Sequence, residues 1–191
     1  MSRTASQLAS IAALLRQETT LALATVNERG EPCVAPLFYI ADANLTLYWL
    51  SSAASLHSLN LARNPRVSAT VYRHAETWKQ IRGLQMRGQV AAITQPERRK
   101  ALIGQYRERF QLGSVFRLAI SQCSLYAFRP ECFRYLDNSK RFGHRFELIP
   151  TQNDWERFRA ATAHLGERSA SSLLERPASL EAEKTSDGSE D

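Results

Sequence analysis

The feature that most constrains the fold is a run of short apolar segments separated by turn residues. The segments TLALATV (20–26), CVAPLFYI (33–40), LTLYWL (45–50) and RVSATVY (66–72) each have the length and apolar content of a β-strand. Strand–helix–strand units of the kind that build parallel sheets are absent from the sequence. The pattern therefore predicts a mainly β chain, folded as an antiparallel barrel or sandwich.

Helices are predicted around these strands. An apolar stripe over residues 5–17 predicts an N-terminal helix, with Ser2 or Thr4 as its cap. Residues 51–65 predict a short helix after the third strand, and residues 96–110 predict a basic helix after the fifth. The predicted remainder consists of two short strands (SLYAF and CFRYL), a C-terminal helix over 151–166 and a disordered acidic tail over 167–191.

The composition favours a globular protein of the cytoplasm. Hydrophobic residues make up 43% of the 191 residues, which is enough to build a core. The three cysteines are odd in number and form no CxxC pair, so we expect reduced thiols rather than a disulfide framework. The N-terminus lacks a signal-peptide pattern, and no apolar run approaches the roughly 20 residues of a membrane span, so we expect no membrane partner.

Charge is distributed unevenly along the sequence. Residues 167–191 hold seven acidic and three basic side chains, whereas residues 1–166 hold 22 basic and 12 acidic ones, a net charge of +10. A basic body of this kind can bind nucleic acid, an anionic lipid surface or a phosphorylated ligand, or it can simply be well solvated. Few aromatic residues accompany the basic residues of 96–110, so nucleic acid is the partner that we favour least.

The segment KQIRGLQMRGQVAAI (79–93) combines strand alternation with two glycines. Apolar residues share one face of the predicted strand, and Gln85 and Arg87 lie on the other. Ile81 breaks this alternation, which predicts a one-residue bulge at Gly83. Because bulges often redirect side chains beside a site, the polar face is a candidate binding surface. An ordinary solvated strand explains the same pattern.

Two further segments carry groups that suit an anion. SSAASLH (51–57) brings three serines and His57 to the start of a helix, where free N–H groups and the helix dipole favour negative charge. LDNSKRFGHR (136–145) clusters basic side chains around a turn at Gly143. A capping serine and a solvated hairpin are the ordinary explanations of these two patterns.

Several common site patterns are missing from the sequence. The histidines and cysteines show no metal-ligand spacing, so no metal site is predicted. A P-loop, a GxSxG nucleophile elbow and a GxGxxG dinucleotide motif are also absent. No catalytic residue can be assigned from motifs, and the order of the segments becomes the main guide to function.

In that order, a strand hairpin, a strand ending in hydroxyls, a short helix ending in NPR, an IRGLQ strand and a DNSKRFG segment follow one another. This arrangement resembles the FMN-binding split β-barrel superfamily typified by pyridoxamine 5′-phosphate oxidase, and within it the small bacterial members, over roughly residues 10–148. The resemblance implies an antiparallel split β-barrel with peripheral helices, in which residues 1–150 form a flavin-binding domain. It further implies FMN, or another flavin-type cofactor, at a homodimer interface.

The resemblance assigns one group of cofactor contacts to the first 60 residues. CVAPLFYI occupies the position of a flavin-lining strand, with Leu37 and Phe38 at its centre. Leu56 and His57 fall on the Arg-Lys pair that holds the FMN phosphate in the family, so this chain lacks two expected cations there. The resemblance then implies that the phosphate is held by the α-helix start together with Ser51, Ser52, Ser55 and His57.

A second group of contacts falls on the IRGLQ strand. The flavin-contacting glutamine of the family, usually provided by the partner subunit, falls on Gly83 of this sequence. Gln85 lies two residues further on and faces the same side of the strand. The resemblance implies that Gln85 or Arg82 donates a hydrogen bond to the flavin ring.

A third group falls near residue 140. Tyr135 and Arg145 share the ten-residue spacing of a Trp and an Arg in the family, which implies that Arg145 contacts the cofactor. Arg141 falls on a substrate-binding arginine, whereas Gly143 stands where the family has a substrate-binding histidine. Only half of the substrate pocket is therefore matched, and the resemblance implies a small-molecule substrate without identifying it.

The resemblance as a whole implies a flavin-dependent oxidoreductase, and two alternatives remain open. One is a haem-binding or haem-degrading split barrel, in which His57, His74 or His144 would ligate iron. The other is a non-enzymatic module that binds a flavin or nucleic acid, using the basic helix over 96–110 in the second case.

Overall fold

The computed structural model describes residues 2–161, and its largest element is a curled antiparallel sheet. Its strand order is β2-β1-β5-β6-β7-β4-β3, with β8 paired to β7. Contacts between β2 and β4 bring the two ends of the sheet together, so the sheet closes into a split barrel and confirms the predicted fold class. The strands are β1 (Thr20–Val26), β2 (Pro32–Phe38), β3 (Ile40–Ala41), β4 (Leu47–Ser52), β5 (Arg66–Tyr72), β6 (Arg82–Ala92), β7 (Cys123–Asp137) and β8 (Arg145–Leu148).

Five helices surround this sheet within residues 2–161, and each is too short or too polar to cross a membrane. Ser2 caps the first helix by accepting a hydrogen bond from the Ala5 N–H. The C-terminal part of the predicted 151–166 helix and the predicted tail over 167–191 lie outside the described residues. The helices are α1 (Arg3–Gln17), α2 (Leu56–Arg63), α3 (Pro96–Arg109), α4 (Arg117–Ser121) and α5 (152–161).

The hydrophobic core lies inside the curled sheet, and α1 packs over one of its open ends. The apolar stripe of α1 is fully buried in one core cluster with inward side chains of the sheet. Tyr39 ties the helix to the sheet, since its hydroxyl donates to the Leu15 carbonyl oxygen over 3.0 Å. A second, smaller cluster lies on the other side of β4, where Leu102 of α3 covers Tyr48 and Leu125.

The short helix α2 packs its polar side inward. Asn60 is only 2% exposed, and its amide donates to the buried Thr25 hydroxyl of β1 over 3.0 Å. Leu56 and Leu59, the apolar stripe of the predicted helix, are 57% and 50% exposed. A polar side chain can be buried in this way because its hydrogen bond is satisfied, and the leucines are left facing solvent.

The predicted bulge at Gly83 is wrong. β6 pairs regularly with β5 from Gly83 onward, and Ile81 lies before the strand, so it need not follow the strand alternation. The irregularity lies instead between Arg87 and Gly88, opposite β7. A Cβ atom on Gly88 would lie 2.0 Å from the carbonyl oxygen of Arg129, so the glycine is required by a close approach of two backbones.

The two predicted strands SLYAF and CFRYL are one continuous strand, β7, of 15 residues. Arg87 of β6 pairs with Cys132, and Gly88 pairs with Pro130, which leaves Glu131 as the extra residue of a bulge. The bulge allows Pro130, which has no N–H to donate, to lie within a long strand.

The outer face of β1, β2, β5 and β6 carries small and apolar side chains. Ala22, Ala24, Ser68 and Thr70 line a shallow depression of about 500 Å³ on this face. Beside them on β2, Val34 is 69% exposed and Phe38 is 57% exposed. Leu56 and Leu59 of α2 add to the apolar surface exposed by residues 2–161.

Candidate functional site

Two of the three predicted serines, Ser51 and Ser55, form one hydrogen-bonded cluster with His57 between β4 and α2. Ser51 is the next-to-last residue of β4, and Ser55 is the N-cap of α2. The Nε2 atom of His57 lies 2.7 Å from the Ser51 hydroxyl and 3.1 Å from the Ser55 hydroxyl. The Ser55 hydroxyl also lies 2.8 Å from that of Ser58, so the cluster, which we call the serine–histidine cluster, comprises Ser51, Ser55, His57 and Ser58.

This cluster can accept an anion in place of its internal bonds. Ser55 makes no side-chain capping bond to α2, so the N–H groups of the first helical turn are not satisfied by their N-cap. Burial lowers the pKa of His57 below its ordinary value of 6.5, so the imidazole is neutral at pH 7. Ser52 is exposed, and its side chain accepts from the Ala54 N–H.

Leu37 and Phe38 end the edge strand β2, which contacts both β4 and α2. Leu37 packs against the core, whereas Phe38 is turned outward and contacts Phe110, with ring centroids 5.1 Å apart and the ring planes tilted by 52°. The Tyr106 hydroxyl donates to the Phe38 carbonyl oxygen over 3.3 Å. Of the two predicted flavin-lining residues, Phe38 therefore offers a side chain at the surface and Leu37 supports it from below.

The other predicted cofactor residues line a cleft beside the first residues of β6. This cleft, which we call the arginine cleft, has a volume of about 600 Å³ and contains Arg82, Gln85 and Arg145. Gln85 and Arg145 are exposed, and the cleft brings them together although they are 60 positions apart in the sequence. Further residues lining it are Thr70, Tyr72, Arg73, His74, Ala75, Ile81, Gly83, Arg134, Tyr135 and Leu136.

Arg82 has a structural partner in this cleft. Its Nε donates to Asp137 over 3.2 Å, and its Nη2 donates to the Ser139 hydroxyl over 3.0 Å. Burial alone would raise the pKa of Asp137, but hydrogen bonds from Ser139 and the charge of Arg82 outweigh it and lower the pKa. Arg82 therefore holds the 137–139 turn against β6, and Gln85 is the more available donor for a ligand.

Arg141 lies in the turn between β7 and β8, outside the residues that line the arginine cleft. Its side chain is exposed, and its carbonyl oxygen accepts from the His144 N–H. Gly143 in the same turn has φ +68°, in the left-handed region that the predicted turn requires. The geometry therefore puts Arg145, rather than Arg141, at the cleft.

Sequence reasoning missed Arg73, His74 and Arg134 as members of the arginine cleft. Arg134 pairs with Gln85 across β6 and β7, and the Arg73 N–H donates to the Arg82 carbonyl oxygen. Gln85 and Arg134 lie on segments distant in the sequence, so this signal exists only once the strand register is known. The alternation of side chains along β7 could have indicated the face on which Arg134 lies, but the bulge at Glu131 shifts that alternation by one residue.

The two candidate groups lie far apart on one chain. Ser51 pairs with Ser124 near the start of β7, and Gln85 pairs with Arg134, ten residues further along that strand. Ten residues of extended backbone cover about 30 Å. The serine–histidine cluster and the arginine cleft are therefore two separate groups on one chain, with ten residues of β7 between the strand pairs that carry them.

The arginines of the basic helix α3 are largely engaged within the protein. Arg98 donates to the Tyr48 hydroxyl, and Arg99 donates to the Cys123 carbonyl oxygen. Arg107 and Arg109 donate to the carbonyl oxygens of Leu112 and Arg16. These contacts anchor α3 to the barrel.

Comparison with known proteins gives a consistent relationship. The family model described as Pyridoxamine 5′-phosphate oxidase matches residues 8–136. A UPF0306 protein of Yersinia pestis is 29% identical over 112 residues, which cover 58% of this chain and 75% of that protein. Residues 8–136, which the family model matches, contain the serine–histidine cluster and every residue that lines the arginine cleft except Arg145.

Solved structures share the fold at low sequence identity. The crystal structure of a conserved hypothetical protein from Mycobacterium tuberculosis has a TM-score of 0.63 and 21% identity, covering 80% of this chain and 94% of that one. HutZ, described as the haem storage protein of Vibrio cholerae, has a TM-score of 0.55 and 25% identity, covering 64% of this chain and 89% of that one.

Proposed function

Because the chain belongs to the pyridoxamine 5′-phosphate oxidase family, we propose that it binds FMN between two copies of itself. On this proposal it is a flavin-dependent oxidoreductase that acts on a small molecule. The observation that carries the proposal is the ten-residue stretch of β7 between the serine–histidine cluster and the arginine cleft, about 30 Å of extended backbone. We treat the two groups as half-sites, and a second copy of the chain brings its cleft to the cluster of the first.

The serine–histidine cluster fits the phosphate group of FMN. Three hydroxyls, the first-turn N–H groups of α2 and His57 supply donors within one small region. A helix N-terminus favours negative charge, and a phosphate dianion would in turn stabilise the protonated imidazole. These donors replace the two cations that the family places here, so the phosphate would be held by hydrogen bonds instead of by two positive charges.

The arginine cleft fits the edge of the flavin ring. Reduction adds negative charge at the N1–C2=O edge, and donors directed at that edge favour the reduced form. Gln85 is exposed on β6 and Arg145 is exposed on β8, so both can reach a ring that lies over the cleft. In this role Gln85 donates a hydrogen bond and Arg145 supplies positive charge.

The exposed apolar face supports a homodimer. Val34, Phe38, Leu56 and Leu59 are each at least 50% exposed, and exposed apolar side chains of this size suit a protein–protein interface. The small side chains around Ala22 and Ala24 let a second sheet approach closely. A dimer formed through this face would exclude water from both half-sites.

When bound, the flavin would supply the hydride or electron transfer, and the chain's own residues bind and orient it. Phe38 would pack on the cofactor, Gln85 would orient the ring edge, and the serine–histidine cluster would anchor the phosphate. We assign no residue of 2–161 as a proton carrier.

The absorbance spectrum of the purified protein tests the proposal. We expect flavin bands in the visible range and release of FMN on denaturation, or, if the protein is purified without cofactor, a rise in melting temperature with added FMN. A colourless protein that FMN neither colours nor stabilises would overturn it.

Haem binding is a second candidate, favoured by the similarity to HutZ. His57 is engaged by two serines, whereas His74 is exposed and lines the arginine cleft, where cationic side chains could meet haem propionates. A Soret shift on haem titration that is lost in His74→Ala would support this function. Haem that binds equally well to that variant would count against it.

A further inference from the structure

The arginine cleft holds positive charge that the described part of the chain leaves largely unneutralised. Arg73, Arg134 and Arg145 line it together with His74, all four are exposed, and no carboxylate of residues 2–161 lines it. Glu18 lies within electrostatic range of Arg73. Within residues 2–161, Arg134 and Arg145 form no ion pair with an acidic side chain. Like charges held at one place repel one another, so carboxylates that reached the cleft would be attracted to it.

Acidic side chains on the strands around the cleft already have partners. Asp137 accepts hydrogen bonds from Arg82 and Ser139. A carboxylate oxygen of Glu147 on β8 lies 3.8 Å from a guanidinium nitrogen of Arg87. These carboxylates are held at their own contacts, so the anion that suits the cleft has to come from another part of the chain or from a ligand.

Two surface segments that border the cleft add to its charge. The segments 73–81 and 138–145 together hold five arginines and lysines and a single acidic residue, Glu76. Aromatic rings from the two segments contact each other with centroids 5.6 Å apart, so the segments lie side by side. Their lysines, Lys79 and Lys140, are both exposed. A basic surface therefore extends from the cleft over both segments.

An acidic segment of the same chain follows the described residues. Residues 167–191 hold seven acidic and three basic side chains, a net charge of −4. The last described helix, α5, ends at residue 161, five positions before this segment begins. The acidic segment and the basic cleft are therefore complementary in charge and belong to one chain.

The end of the described chain lies within reach of the cleft. The Trp155 ring of α5 contacts the Phe133 ring of β7 with centroids 6.2 Å apart. Phe133 is three residues before Leu136, which lines the cleft, and three residues of strand cover about 10 Å. Thirty residues, the length of 162–191, would span about 45 Å as one helix and about 100 Å fully extended, so the length suffices in either case.

We propose that residues 167–191 dock into the arginine cleft of their own chain and compete there with FMN. Their carboxylates pair with Arg73, Arg134 and Arg145. Each such ion pair is weak because it is exposed, but a tethered segment meets the cleft at a high effective concentration, so several weak pairs suffice. The competition rests on the proposed function, since it requires the flavin ring to lie over the same cleft, whereas the docking does not.

Carbodiimide cross-linking of the full chain without cofactor, followed by peptide mass spectrometry, tests the docking. This reagent joins a carboxylate to a lysine amine in direct contact, and the chain outside 167–191 has three lysines, Lys79, Lys100 and Lys140. Lys100 is exposed on α3, whose Arg99 contacts the start of β7, so it is an internal control away from the cleft.

We expect acidic residues of 167–191 to be joined to Lys79 or Lys140 at least 5-fold more often than to Lys100, with yields falling as salt is added. The product should run as a single chain in a denaturing gel. Equal yields at the three lysines, or no cross-link from 167–191 to Lys79 and Lys140, would overturn the inference, and so would a cross-link found only between two chains.

Paired charge variants show whether the cleft itself holds the segment. Arg73→Gln combined with Arg134→Gln should lower the cross-linking yield at least 3-fold. The matched control, Arg66→Gln combined with Arg129→Gln, removes two exposed arginines that lie outside the cleft and should leave the yield unchanged. Equal losses in the two double variants would show a general charge effect and overturn the inference.

Titration with riboflavin and FMN separates the competition from the docking. In a full-length variant with the seven acidic residues of 167–191 changed to their amides, we expect both ligands to bind at least 3-fold more tightly. Riboflavin is uncharged, so its gain cannot come from a general attraction of phosphate. Unchanged riboflavin affinity would overturn the competition. If the cross-links form and neither ligand binds to either protein, the proposed function fails while the docking stands.

Discussion

At the scale of single residues, Gly88 is fixed by a backbone contact rather than by a ligand. A Cβ atom there would lie 2.0 Å from the Arg129 carbonyl oxygen, which belongs to the neighbouring strand and cannot move freely. We predict that Gly88→Ala lowers the free energy of unfolding by about 3 kcal/mol, as overpacking does in a dense interior. Urea unfolding measures this.

Gly83→Ala is the matched control for that change. The added Cβ would lie 3.6 Å from the Tyr72 Cβ, an ordinary contact, so we expect a change of less than about 1 kcal/mol. Similar losses in both variants would mean that glycine is needed in β6 for another reason than the approach of β7.

His57 is predicted to act on the phosphate of FMN and not on its ring. We expect His57→Ala to raise the dissociation constant for FMN at least 10-fold and to leave that for riboflavin, which lacks the phosphate, nearly unchanged. Fluorescence titration with both ligands measures the difference. His144→Ala, outside the serine–histidine cluster, is the control, and an equal loss for riboflavin would contradict the assignment.

The same residue makes stability depend on pH. Burial lowers the pKa of His57 in the folded state, so below about pH 6.5 the unfolded chain binds more protons than the folded one. The contribution of the neutral, buried His57 imidazole to the free energy of unfolding is therefore complete above pH 6.5. It is lost as the pH falls through the lowered pKa. We predict that His57→Gln weakens the decline in unfolding free energy between pH 7.5 and 5.5, and an unchanged decline would contradict it.

Individual site residues could be predicted to different degrees. The serine–histidine cluster is local in sequence, since Ser51 and His57 are six positions apart and meet through one turn. Arg73 and Arg134 reach the arginine cleft only through the pairing of β5, β6 and β7. Side chains that meet through strand register leave no local pattern, which is why sequence reasoning missed them.

At the scale of elements, α2 depends on one buried polar contact with β1. Removing the Thr25 hydroxyl would leave the Asn60 amide buried without a partner, which costs about 1–3 kcal/mol. We predict that Thr25→Val and Asn60→Ala each destabilise the protein by about that amount. The double variant should lose clearly less than the sum of the two, and additive losses in thermal unfolding would show that the contact contributes nothing.

Elements with a regular pattern were predicted well, and those with an interrupted one were not. The helix α1 and the β1–β2 hairpin follow from an apolar stripe and a turn-rich segment, and both are confirmed. β7 was divided in two because Pro130 and the bulge interrupt its alternation, and β8 was missed because four residues are too short a pattern.

At the scale of the whole molecule, the proposed function requires two copies of the chain to share each cofactor. One chain holds the serine–histidine cluster and the arginine cleft about 30 Å apart along β7, and its exposed apolar face is suited to pairing. The central claim is therefore that each FMN contacts His57 of one copy and Gln85 of the other.

A mixed dimer tests this claim most directly. Two variants are co-expressed with different tags, one carrying His57→Ala with Ser51→Ala and the other carrying Gln85→Ala with Arg145→Ala, and the heterodimer is purified. Each variant alone should bind FMN weakly, because both of its sites lack one half. We predict that the heterodimer binds one FMN per dimer with the affinity of the unaltered protein, whereas a heterodimer that binds as weakly as its parents would contradict the account.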